Sequence, residues 1–124
     1  LFTGNADFKI RAEKLLACIG QGMARFPSAY ASAAQALDFY RSNAQQIVLV
    51  GPQDSQPTQE FLRWLHLKFL PNKTVMWSNG EEAQQLAPLQ GKVAINGKVT
   101  FYICADETCE EPTVDPERAK ALVQ

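Results

Sequence analysis

The hydrophobic period of this chain changes once, near Asn43, and that change constrains the fold more than any single motif. From Asp7 to Met23 the apolar residues Phe8, Ala12, Leu15, Ile19 and Met23 recur at three- and four-residue intervals, which places them on one face of a helix. Asn5 and Asp7 are the candidate caps. A second helix is expected over Ser28–Arg41, with Tyr30, Ala33, Ala34, Leu37 and Tyr40 on one face and seven alanines or serines in its first nine positions. Small side chains permit close approach, and the short connection at 22–27 predicts an antiparallel hairpin with an apolar face that needs cover.

Beyond Asn43, short β-branched or aromatic runs alternate with helical stretches. Strands are expected at 47–50, 74–77 and 100–104, and helices at 57–70, 80–89 and 116–123. Asp54 and Ser55 offer caps to the first of these helices, Pro57 suits its first position, and Glu60 is read into its first turn. Phe61, Leu62, Leu65 and Phe69 give it a wide apolar face, with Trp64 at the edge. Such alternation argues for an α/β class, specifically a small three-layer unit with a mainly parallel sheet. Asn96-Gly97, between Val93–Ile95 and Lys98–Thr100, is a type I′ hairpin signal and predicts one antiparallel edge strand. The expected division is therefore a helical hairpin over 1–43 and an α/β subdomain over 44–124.

A 124-residue chain with 46% hydrophobic residues is long enough for one core. Its net charge of −1 supplies no concentrated positive field, so neither nucleic acid nor an anionic membrane is an expected partner. The longest aliphatic run, 47–50, falls far short of the roughly 20 residues of a spanning helix. No targeting stretch is expected at Leu1. Three cysteines are an odd number and too few for a secreted disulfide scaffold, so a reducing, cytoplasmic setting is expected. Cys18, in an apolar helical stretch, reads as a small buried hydrophobe.

Few residues offer chemistry. Gly51-Pro52 occupies the place of a phosphate-binding turn, between a strand and a helix, but Pro52 removes an amide donor and no glycine-rich sequence follows; a plain strand-to-helix turn is the first reading. His66, the one histidine, lies on the flank of the long helix without identifiable metal or triad partners. Asp106, Glu107, Glu110, Glu111, Asp115 and Glu117 cluster around Cys109 in the manner of a solvated acidic loop. Cys104 and Cys109 form the sharpest pair, with structural thiols, a disulfide, and redox or metal function as the open alternatives. They do not form a Cys-x-x-Cys motif, and the neighbouring acids oppose a thiolate. No catalytic residue, metal site or cofactor is assigned.

The stretch GKVAINGKVTFYICADETCEEPTVDPERAKAL, taken with SAYASAAQALDF, LPNK and LAPLQGK, resembles the C-terminal end of thioredoxin-domain-containing proteins of the YyaL and spermatogenesis-associated type. The resemblance implies a C-terminal piece of a longer chain that carries a thioredoxin-like domain and an α/α barrel like that of N-acylglucosamine 2-epimerases. Residues 1–43 would then be the last hairpin of that barrel, and the remainder of the parent chain would be the principal partner, with self-association through the exposed hairpin as a second expectation. A non-catalytic structural or interaction module is the reading this favours. The wall of a sugar or small-molecule pocket in the barrel, and a stand-alone α/β enzyme or nucleotide binder, are the alternatives. The parent's own activity would be redox or sugar-processing chemistry.

Overall fold

The computed structural model describes residues 5–80, 86–105 and 108–124. These form two compact units, one ending at Ser42 and the other beginning at Asn43.

The first unit is a helical hairpin. Helix α1 spans Ala6–Arg25; the Asn5 side chain caps it by accepting the Asp7 N–H at 2.9 Å. A 3-10 turn at Pro27–Tyr30 leads into helix α2, Ala31–Arg41. Tyr30 lies over Gly22, where a Cβ would come within 2.6 Å of the tyrosine oxygen. Tyr40 donates its hydroxyl to Glu13 Oε1 at 2.6 Å, tying the two helices together. Leu16, Ile19, Met23, Ala33 and Leu37 are half-buried, yet no residue of either helix is fully buried. Phe8, Ile10, Leu15, Phe26 and Tyr40 are exposed. Cys18 is exposed as well, contrary to the buried reading, because Ile19 and not its neighbour turns inward.

The second unit is built on a four-stranded sheet of β1 (Gln45–Val50), β2 (Lys73–Ser78), β3 (Thr100–Ala105) and β4 (Thr108–Cys109), in the order β2-β1-β3-β4. Helix α3 (Gln56–His66) connects β1 to the parallel strand β2, as the alternating pattern predicts. The α/β class holds, but the pairing is not mainly parallel: β3 runs antiparallel to β1, and β4 antiparallel to β3. Strand direction depends on how the chain returns between β2 and β3, and apolar content does not encode it.

Alternation along the strands divides the core in two. Ile47, Leu49, Phe101 and Ile103 face Phe61 and Leu65 of α3 and Ala119 of helix α4 (Pro116–Leu122). Val48, Val50, Met76 and Tyr102 face the other way, against Leu89 and Ala94. Helices therefore cover one face, while the described cover of the other is irregular chain and 3-10 turns, including Ala87–Leu89. The helix expected at 80–89 lies largely at residues 81–85, outside the described residues.

Asn96 and Gly97 have φ of 52° and 68°, and Lys98 N–H closes the turn on Ile95 O at 3.0 Å, as type I′ chemistry requires. No edge strand results. Ile95 N–H donates to Thr100 Oγ1 at 2.8 Å, and the Tyr102 hydroxyl both accepts from Val93 N–H and donates to Val93 O. Side chains of β3 thus satisfy the backbone that a ladder would have used, while β1 and β4 occupy the edges of β3.

Helix α3 begins at Gln56, so Glu60 lies beyond the first turn and accepts a bond from Gln56 Nε2 at 2.7 Å. It stops at His66, earlier than the apolar pattern suggests: Leu67 N–H donates to Trp64 O and Lys68 N–H to Leu65 O, tightening the last turn ahead of Pro71. Leu70 packs on the core, and Phe69, read onto the buried face, is 91% exposed. Lys68 and Lys120 flank the Trp64 ring at 5.5 and 5.9 Å, and Gln45 holds the C-terminus by bonds to Leu122 O and Gln124 N–H.

Candidate functional site

Cys104 and Cys109 are joined by a disulfide, with their Cα atoms 3.9 Å apart. The register explains why. Ala105 pairs with Thr108 and Cys104 with Cys109, and Glu110 N–H donates to Ile103 O at 2.9 Å. Pairs alternate along an antiparallel ladder, so Cys104–Cys109 is the non-hydrogen-bonded pair, where facing strands approach most closely. Four intervening residues return the chain far enough to bring two sulfurs together. Cys104 is buried on the Tyr102 face of β3; Cys109 is exposed at the sheet edge. On the same sheet face, Lys92 stands 5.7 Å from the Tyr102 ring, and partial burial pushes its ammonium pKa below the ordinary lysine value.

The acidic residues around the bridge have structural tasks. Glu111 pairs with Arg118 at 2.7 Å and Glu117 with Lys120 at 2.6 Å, both at the surface. Asp115 caps α4 by accepting the Glu117 N–H at 2.9 Å, with Pro116 opening the helix. Asp106 and Glu107 lie outside the described residues. Among the described residues no group of three or more His, Cys, Asp or Glu side chains converges as a metal site.

Gly51 is buried with φ +138°, and a Cβ there would lie 2.8 Å from Val99 Cα. It is therefore a glycine because the backbone of 98–99 crosses over it. Its N–H donates to Ser78 O at 2.9 Å, and its carbonyl accepts from Trp77 Nε1 at 3.0 Å. The turn that follows is closed on itself: Thr58 Oγ1 donates to Pro52 O at 2.9 Å, Thr58 N–H donates to Ser55 Oγ, and Gln59 N–H donates to Ser55 O. Amides that a phosphate would need at 51 and 58 thus have protein acceptors.

His66 ends α3, exposed, beside a shallow surface hollow of about 380 Å³ lined with Gln59, Leu62, Arg63 and Leu67. The structure does not bring Gly51, His66 and the cysteine pair together as one constellation. The cross-strand bridge was the feature that only strand register reveals; two cysteines five apart are compatible with several arrangements, and one of them becomes a bonded pair when a tight hairpin sets Cys104 opposite Cys109.

No protein-family profile matches the chain, and no solved structure does. Human spermatogenesis-associated protein 20 aligns with it at 26% identity over 126 residues, covering 98% of this chain but 16% of the human protein. Over nearly its whole length the chain is similar to spermatogenesis-associated protein 20. The mouse and rat proteins of that name match at 26% identity too, again over 98% of this chain. It spans 16% of the length of these curated relatives. At 98% coverage the aligned stretch takes in the helical hairpin, the sheet and the bridged Cys104 and Cys109. No described helix is long and apolar enough to cross a membrane.

Proposed function

We propose that this chain is a non-catalytic C-terminal structural and interaction module of a longer thioredoxin-domain protein with an epimerase-like α/α barrel, and that the rest of that protein is its partner. The observation that carries the reading is a two-helix hairpin with no buried residue and with Phe8, Ile10, Leu15 and Phe26 open to solvent. Apolar side chains exposed in such numbers on a single hairpin mark surface made to be covered. The extent of the match supports it: nearly the whole of this chain aligns with a small part of its relatives. In this reading the hairpin docks on further helices and the α/β unit seals the end of the barrel.

The proposal keeps the module in the cytoplasm. The test is Leu15→Glu, made in this chain and in the full-length parent. It should leave the melting temperature of the isolated chain almost unchanged and lower that of the parent by several degrees. An equal, negligible effect in both would show that nothing covers the hairpin.

A further inference from the structure

The two edges of the sheet are built differently. At the β4 edge the paired strand is two residues long. Cys104 pairs with Cys109 but Phe101 with Thr113, so four residues on the outer strand oppose three on β3, an inserted residue that bends the edge. Pro112 has no N–H, and Glu110 and Glu111 are exposed carboxylates. Bulge, proline and charge are the devices that keep an edge from pairing with another strand.

The β2 edge has neither bulge nor proline. It is six residues long, Lys73 to Ser78, with one charge. Gln45 N–H donates to Asn72 O and Gly51 N–H to Ser78 O, so the backbone groups of 72 and 78 point toward β1. A ladder alternates with period two, which turns 74 and 76 the same way. The N–H and C=O groups of Lys73, Val75 and Trp77 therefore point outward, and among the described residues no strand pairs with them. Val75 and Trp77 side chains lie on the face of the sheet that packs against α3 and α4.

We infer that the β2 edge pairs antiparallel with β2 of a second copy of this chain. A two-fold axis at Val75 sets Val75 opposite Val75 and Lys73 opposite Trp77, all as hydrogen-bonded pairs. Six backbone hydrogen bonds form, no like charges face each other, and each ammonium lies beside an indole. Because the contact is isologous and the β4 edge is blocked, assembly closes at two copies, giving one sheet of eight strands. The β2 edge and the hairpin face of the proposed function share no residue, and either can fail without the other.

Sedimentation equilibrium of the 124-residue chain tests the inference, with Val75→Pro as the probe. Proline at 75 removes an outward donor and leaves the β1 ladder intact. Two hydrogen bonds vanish per dimer, so dissociation should become about 100-fold easier while Leu15→Glu leaves it unchanged. A wild-type chain that stays monomeric to about 1 mM overturns the inference. So does a dimer that survives Val75→Pro and is lost in Leu15→Glu. Amide exchange in the wild-type chain decides independently of how Val75→Pro folds. Protection of the Val75 and Trp77 amides should rise with protein concentration; protection independent of concentration means a bare edge or one filled by the same chain, and refutes pairing between copies.

Discussion

Removing the Cys104–Cys109 bridge should weaken the α/β unit by a predictable amount. The bond closes a loop of six residues, counted inclusively over a sequence separation of 5. In the chain-entropy account, a loop this short restricts the unfolded state by about 7 cal/mol/K, or about 2 kcal/mol at 25 °C, near the lower end of the usual disulfide range. For a unit of about 80 residues that corresponds to a fall of roughly 10 °C in melting temperature. Cys109→Ala should show this loss alone, because Cys109 is exposed. Cys104→Ala should show about 1 kcal/mol more, since it also empties part of a site that is 5% exposed beside Tyr102. Thermal melts followed by circular dichroism, with and without a dithiol reductant, separate the terms. Reductant should bring the parent down to Cys109→Ala and leave Cys104→Ala lower still. If neither variant differs from the parent under oxidising conditions, or if reductant does not move the parent, the bridge does not brace the β3–β4 hairpin and the reasoning fails.

Gly51→Ala should cost about 2 kcal/mol or more, because it combines a positive φ with a Cβ set 2.8 Å from the Val99 backbone; a loss under 0.5 kcal/mol in chemical denaturation would contradict that packing. Ser55→Ala, which removes the N-cap of α3, should cost about 1 kcal/mol in the same assay, and no change would mean the cap is idle. Tyr40 should titrate above its ordinary value of 10.0, chiefly because its hydroxyl donates to Glu13; the neutral phenol is the form the hairpin favours, so this contribution is complete below pH 10 and fades as pH rises through the folded value. Ultraviolet titration of wild type against Tyr40→Phe checks it, and the loss of an ordinary, unshifted phenol would count against the contact. The purified chain should reduce no insulin disulfide and isomerise no N-acyl sugar; turnover of either would overturn the non-catalytic reading.

Most elements were legible because their local chemistry is consistent. The aliphatic run at 47–50, the Ser55 and Pro57 start of α3, and Asp115-Pro116 at the start of α4 each specify an element without help from distant residues. What escaped depended on long-range pairing. Asn96-Gly97 makes its turn, yet whether strands flank it was decided by Thr100 and Tyr102 side chains bonding to the backbone of 93–95. Phe69 fits the helical period of α3, but the last turn tightens before it is reached. Sheet direction and the edge at β2 follow from the order β2-β1-β3-β4, which no window of sequence contains. The cysteine pair was visible as a pair; its bond required the register of β3 against β4.

In the proposed function the exposed hairpin is covered by the rest of a longer chain. Hydrogen–deuterium exchange read by mass spectrometry, on this 124-residue chain and on the full-length parent, tests it most directly. Amides of α1 around Phe8–Leu15 should exchange rapidly in the isolated chain and become strongly protected in the parent, while those of β1 are equally slow in both. Identical exchange of α1 in the two proteins would contradict the account.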